Sequence, residues 1–360
     1  MSLTCGFAWL DVEVGMMASM ADVARRANVA VSTVSYALNG TRPVAKATAE
    51  RIHRAMEELG YRPNALARGL ASKRSRNIAL IFPMLERGLG LTEMEFVSAA
   101  AETAGELGYH LVLWSTPLGD TDLLTRLTRQ GLVDGVVIME VHLDDARIEM
   151  LRRTGVPFCM IGRTGENRED PFADIDFEST IRDAVAHLAG LGHRTVGFIN
   201  HSRASFDAGY GPSVRAARAF EEAARDSGLR HFSRFCDDSP TAGREMWPEI
   251  VAAQPGVTGV IVMNERAGAG VLAAILRSGA RVPEDFSVLS VASSERVAEM
   301  TYPPLTTFHP PAAELGRLGV QVLIDRLEGG EVPLVQQLIP CRLVLRDSTG
   351  PATRQPGAGI

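Results

Sequence analysis

The chain is poor in aromatic residues, which make up 6% of its 360 positions, and poor in cysteine, with only Cys5, Cys159, Cys236 and Cys341. Those four lie far apart and form no CxxC pair, so neither a zinc ribbon nor a disulfide-stapled fold is expected. They read as free thiols of a reducing cytoplasm. No apolar run approaches the roughly 20 residues that a membrane-spanning helix needs. P-loop, HExxH and GxSxG motifs are all missing, and the one local Ser/His/Asp grouping, His201, Ser202 and Asp207, falls in a stretch that reads as loop. Catalysis, a metal and a cofactor are therefore not expected. Overall positive charge is lacking as well, since the net formal charge is −6. What is present is length and apolar content: 46% hydrophobic residues suit a large α/β core with a small module attached.

The charge is uneven. Residues 20–75 hold ten Lys/Arg against four Asp/Glu, a local balance of +6 on an otherwise acidic chain. A cationic module on an acidic body suits a contact to duplex DNA driven by counterion release. The same stretch begins MADVARRANVAVSTVSYALN, which fits two short helices across a tight turn. Ala24 stands where only a small side chain fits, Val34 and Leu38 give the second helix a buried stripe, and Val23 and Val29 complete a small core. Asn28 occupies the turn position that requires positive φ, a conformation asparagine visits more readily than most residues. The opposite face of the second helix presents Val31, Ser32, Ser35, Tyr36 and Asn39, groups suited to base edges and phosphates in a major groove. A third helix is expected over Ala45 to Leu59, with Ala49, Ile52, Met56 and Leu59 at helical spacing and Gly60 as its stop. From Asn64 to Ala71, Leu66 and Leu70 lie one turn apart and Ala67 and Ala71 allow close approach, but the segment is too short to be a stable helix alone.

Further along, short β runs alternate with helical patterns. Strands are expected at 78–83, 109–114, 135–139, 158–161, 195–200, 259–263 and 286–291, and helices at 95–107, 120–130, 180–190, 214–227 and 266–278. Such βα alternation implies parallel, doubly wound sheets with helices on both faces.

The stretches DVARRANVAVSTVSYALNG and ELGYRPNALARGLASKRSRNIALIFP resemble the headpiece, hinge and first effector-domain strand of the LacI family of bacterial transcriptional regulators. The likeness continues through LAGLGHRTVGFIN, VPEDFSVLSV, PPLTTFHPP and RLVLRDSTG, so it covers nearly everything from 20 to 350. It implies a periplasmic-binding-protein-like domain of two lobes behind the head. It also implies a homodimer, or a dimer of dimers, that binds a near-palindromic operator in double-stranded DNA and is controlled by a small-molecule effector, such as a sugar. No heptad pattern follows residue 346, which favours the dimer. Val31, Ser32 and Tyr36 match the family's variable base-contacting positions, and Thr33, Ser35 and Asn39 match positions that hold phosphates or fix the helix. In the hinge, Asn64 is a further candidate for DNA binding, Leu70 matches the residue that wedges into the minor groove, and Arg68 is either a phosphate contact or a solvated side chain.

The resemblance supplies the domain plan as well: an extension at 1–19, a head at 20–62, a hinge and linker at 63–76, an effector and dimerisation domain at 77–346, and a tail at 347–360. The lobes are expected at 77–177 plus 306–335 and at 178–305 plus 336–346. Residues 1–19 make a poor signal peptide and the extension is expected to be disordered, as is the tail, with Met17 or Met20 a candidate natural start. Ligands of doubly wound sheets bind beyond the carboxyl ends of strands. The strand ends point to Met84, Ser115, Glu140, Arg163, His201, Arg215, Asn264 and Ser293 as effector contacts, with Arg163 and Arg215 either ligand clamps or structural ion-pair partners.

Several positions depart from the family. Ala30 replaces a capping serine, and Tyr36 replaces the commoner arginine, removing a bidentate guanine contact. Ala292 stands where many members have an acidic residue that grips ligand hydroxyls, Arg215 is out of register with Ala219-Phe220, and MLERGLGLTEMEF follows the first strand in place of an Asn-Pro-Phe-type turn. These leave open a sugar effector, a different effector or a ligand-independent regulator. A solute-binding protein of the periplasmic type shares the two-lobed fold, but the head argues against it.

Overall fold

In a computed structural model, the described residues are 18–39, 42–61, 74–83, 88–115, 120–166, 169–329 and 333–352. The chain divides into two compact units, one ending at Ser75 and the other beginning at Arg76.

The described residues of the first unit form three clustered helices: α1 (Met20–Ala27), α2 (Val31–Asn39) and α3 (Lys46–Leu59). Ser19 and Asp22 form a reciprocal capping box at the start of α1, in which Asp22 Oδ2 accepts from the Ser19 backbone N–H at 2.9 Å. Such a cap contributes about 1 kcal/mol. Val23, Val34 and Ile52 are fully buried, and Ala24, Ala27 and Ala55 let the helices approach. Leu59, expected in the apolar stripe of α3, is exposed. Gly60 ends the helix at φ 60, and the Tyr61 N–H returns to the Met56 carbonyl at 2.9 Å, so the last turn lies at the edge of this small core.

The second unit holds two six-stranded sheets. The first lobe begins β1 (Asn77–Ile81), α4 (Leu91–Glu106), β2 (His110–Trp114), α5 (Thr121–Arg129), β3 (Gly135–Ile138), α6 (Ala146–Thr154), β4 (Phe158–Ile161) and β5 (Phe172–Ile175). The second runs α7 (Phe177–Gly190), β6 (Thr195–Asn200), α8 (Arg203–Asp207), α9 (Gly211–Asp226), β7 (Arg230–Phe235), α10 (Pro240–Ala253), β8 (Gly259–Val262), α11 (Glu265–Arg277), β9 (Ser287–Val291), α12 (Glu295–Glu299) and β10 (Thr306–His309). The chain then returns to the first lobe as α13 (Ala312–Leu327) and β11 (Gln336–Ile339), and ends in the second as β12 (Arg342–Val344). The sheet orders are β11-β5-β4-β3-β1-β2, parallel throughout, and β12-β10-β9-β8-β6-β7, parallel except for the antiparallel β10/β12 pair. Strands such as GVVI and GVIV are buried along their whole length, as parallel strands covered on both faces must be.

The return path differs from the expected lobe boundaries at 306 and 336. Residues 306–309 pair with β9, so they belong to the second sheet, and residues 336–339 pair with β5, so they belong to the first. Burial explains the first difference: Thr306, Thr307 and Phe308 complete the interior of the second sheet. The crossing comes only at α13, which lies against α4 so closely that a Cβ at Gly316 would stand 2.4 Å from the Phe96 carbonyl oxygen.

Candidate functional site

In the first unit, Asn28 adopts φ 52 and ψ 56, the left-handed turn its side chain tolerates, and the Val29 N–H donates to the Ala24 carbonyl at 3.0 Å. The turn aims α2 away from α1. At the start of α2, the Thr33 and Val34 N–H groups return to the Ala30 carbonyl. Alanine has no side-chain oxygen to offer a free helix N–H, so the helix start keeps donors available for an anion. Val31 is 47% exposed, Ser32 is exposed, and Thr33, Ser35 and Tyr36 are half-buried. The Arg42 guanidinium stands 5.1 Å from the centre of the Tyr36 ring, a cation–π contact that restrains the tyrosine. The Asn39 side chain, together with Asn64, Arg68, Leu70 and Met84, lies outside the described residues.

In the second unit the carboxyl ends of the two sheets face each other across an open cavity of about 120 Å³. Its walls include Phe96, Phe177 and Tyr210, with Glu93, Glu140, Asp174, Asp238 and Glu265 as acidic members and Arg266 as the basic one. The lobes touch around it. The Thr92 hydroxyl donates to Glu265 Oε2 at 2.7 Å and accepts from the Ser294 N–H at 2.9 Å, while the Leu143 N–H donates to the Gly209 carbonyl at 2.8 Å.

Asp174, at the end of β5, is the most constrained group of the cavity. Its Oδ1 accepts from the Ile175 N–H at 2.8 Å, whereas Oδ2 lies 3.3 Å from Arg163 Nε and 3.9 Å from Arg215 Nη1 without hydrogen-bond geometry to either. Burial pushes its carboxyl up to about 7, and the charges of Arg215 and Arg163 only partly oppose that shift. Both arginines are anchored elsewhere. Arg163 Nη2 donates to both Glu178 oxygens, and Arg215 Nη2 donates to the Arg163 and Thr164 carbonyls at 2.9 Å. Across the cavity, burial raises the Glu93 carboxyl to about 7 and raises Glu265 above its usual value.

The sequence-expected effector residues divide accordingly. Glu140 and His201 line the cavity. Arg163 and Arg215 stand behind Asp174, and the buried Ser293 hydroxyl donates to Glu265 Oε2 at 3.1 Å. The other two are placed differently. Asn264 is committed to the fold: its Oδ1 caps α11 by accepting from the Ala267 N–H, and its Nδ2 donates to the Cys236 carbonyl. Ser115 is exposed and outside the cavity wall, because β2 is the edge strand of its sheet and ends away from the cleft. The His201/Ser202/Asp207 grouping forms no relay, since Ser202 caps α8 and Asp207 is paired with Arg203. Glu93, Asp174, Tyr210, Asp238 and Arg266 were not anticipated. Glu93 sits in the very segment that departs from the family turn, the one signal that could have found it.

Comparison with known proteins bears on the same two regions. Residues 19–64 match the model for bacterial regulatory proteins of the lacI family, and residues 185–349 match a periplasmic binding protein-like domain. The HTH-type transcriptional regulator CelR of Thermobifida fusca is 31% identical over 339 residues, covering 91% of this chain and 96% of that protein. Among solved structures, the lac repressor dimer bound to operator and the anti-inducer ONPF superposes with a TM-score of 0.78 at 26% identity, over 92% of this chain and 99% of that one. A CelR–cellobiose complex superposes with a TM-score of 0.69 at 27% identity over the same shares. The chain belongs to the LacI family of bacterial transcriptional regulators, and it is a DNA-binding regulator with a periplasmic-binding-protein-like domain behind a helix-turn-helix head.

Proposed function

We propose that this protein is a cytoplasmic repressor without catalytic activity. It binds a near-palindromic operator as a homodimer through a head at 20–62 and a hinge at 63–76, and a small hydroxylated effector of the sugar class, held between the lobes of 77–346, sets its affinity. The observation that carries the effector half is Asp174: a buried carboxylate oxygen without a hydrogen bond, at the wall of an open cavity, is suited to accept from a ligand hydroxyl. The cellobiose complex of CelR and the ONPF complex of the lac repressor support the same class of ligand. In the DNA half, Val31, Ser32 and Tyr36 read bases, Thr33, Ser35 and Asn39 position the helix on phosphates, and Leu70 wedges the minor groove while Arg68 meets its backbone.

Gel shifts on DNA flanking the gene test the reading. Specific binding should weaken steeply with salt, and an absent or salt-insensitive interaction would refute it. Tyr36→Ala is expected to relax discrimination at one base step by roughly 1–3 kcal/mol. Uniform weakening across sequences would assign Tyr36 to the backbone instead. Leu70→Ala should lower operator affinity and reduce the bend while leaving the fold intact.

A further inference from the structure

The charge in the cleft exceeds what a neutral sugar requires. Among the described residues, five carboxyl groups line it against one guanidinium, Arg266. Arg266 stands 3.5 Å from Asp238, and Asp174 is held from behind by Arg163 and Arg215. Glu93 from the first lobe and Glu265 from the second form no ion pair among the described residues. The two converge beside Arg266: a methyl placed on Gly90 would lie 2.6 Å from Glu93 Oε2, 3.3 Å from Glu265 Oε1 and 3.7 Å from Arg266 Nη2. Burial pushes Glu93 up to about 7, and the negative charges of Glu265 and Glu140 add to that shift.

An anionic ligand would meet repulsion here. A metal ion is disfavoured as well, since no group of three or more His, Cys, Asp or Glu among the described residues stands close enough to hold one. The same walls carry the rings of Phe96, Phe177 and Tyr210, surfaces that attract an organic cation. The second anchor is Asp174, 5% exposed, whose Oδ2 accepts no hydrogen bond and whose carboxylate lines the same cavity.

Resting on the effector reading above, we propose that the ligand carries a protonated amine on a hydroxylated frame, with its ammonium between Glu93 and Glu265 and its hydroxyls toward Asp174. Glu265 is already oriented for this by the Thr92 and Ser293 hydroxyls, which leave its Oε1 facing Gly90. Glu93 is oriented by the Gly90 N–H, which donates to its Oε2 at 2.9 Å. A single ammonium touching carboxylates from both lobes would draw the lobes together.

The test uses the full chain with matched ligands that differ only in replacing a hydroxyl by an amine: glucosamine against glucose, and the β-1,4-linked glucosamine dimer against cellobiose, with glucose 6-phosphate as the anionic control. Thermal shift and calorimetry near neutral pH should show the amine member of a pair binding at least about tenfold more tightly than its hydroxyl partner, and no binding of the phosphate. Glu93→Gln and Glu265→Gln keep oxygen acceptors for Gly90 and Thr92 but remove the charges, so each should abolish the amine preference. Equal or tighter binding of the neutral members would overturn the amine inference and leave the effector cleft standing. A preference that survives both substitutions would overturn the seat assigned to the ammonium. Silence toward amine, neutral and anionic ligands alike would overturn the inference together with the effector reading beneath it.

Discussion

Two buried aspartate–arginine clusters in the effector unit use the same side chains to opposite ends. Asp145 and Arg147, at the start of α6, are almost wholly buried, and nearly every polar atom is used. Arg147 Nε and Nη2 donate to the two Asp145 oxygens at 2.9 and 2.7 Å, Nη2 also reaches the Glu140 carbonyl, and the His142 and Arg147 N–H groups donate to the carboxylate, leaving only Arg147 Nη1 without a partner. Burial alone would raise Asp145, but the hydrogen bonds and charge of Arg147 reverse it, and the carboxyl ends below its usual value. Asp174 has two arginines yet ends near 7, because neither meets it with hydrogen-bond geometry. Nearby opposite charge only partly offsets the burial of a carboxylate; direct hydrogen bonds complete the compensation. The finished cluster holds the β3–α6 corner, and the unfinished one faces the cavity.

The largest expected effect breaks the finished cluster. Arg147→Met should leave Asp145 buried without its cation and cost about 3–5 kcal/mol in urea denaturation. A loss below about 1 kcal/mol would show that Asp145 is not held by Arg147. Asp174→Asn acts on the other side, with the opposite pH dependence. Asp174's folded value lies above its unfolded value, so the folded state keeps a proton between about pH 4 and about pH 7, and this group's contribution to stability falls as pH rises through that window. The asparagine variant should therefore gain on the wild type by roughly 1 kcal/mol or more between about pH 5 and about pH 8 while losing its response to effector. Asp145 has the reverse sign: its contribution is complete above its unfolded value and is lost as pH falls through the depressed folded one. Parallel pH profiles for the two sites would erase the contrast. The smallest effect concerns Ala292, a cavity-wall residue at φ 55. Ala292→Gly should raise stability by up to about 1 kcal/mol in the same denaturation assay, and a loss would mean that the left-handed backbone carries no strain there.

The contrast also marks what the sequence could disclose. Strands such as GVVI, FCMI and GVIV are short apolar runs between turn residues, and Asn28 in its turn followed from the rarity of residues that accept positive φ. Strands β5 and β7 were not anticipated, because FADI carries an aspartate and RHFSRF is an edge strand in which polar residues outnumber its two phenylalanines. Asp174 is buried in a strand flanked by β4 and β11, with arginines from two other segments beside it, a long-range fact with no local pattern. The same limit explains Asn264 and Ser115: position at a strand end was legible, but whether that end opens on the cleft, and whether the side chain is spent on a cap, depends on strand order and on the following helix. The basic head could be read more fully, since its small core and turn are set by neighbours close in sequence.

The crossing of the chain near residues 336–344 has a consequence for synthesis. β11 is the outermost strand of one sheet and β12 the outermost strand of the other, so one short stretch completes both lobes. Until a ribosome has passed residue 344, β5 and β10 each present an unpaired row of backbone groups, the kind of edge that recruits other strands. A chain terminated before residue 336 would carry both exposed edges at once.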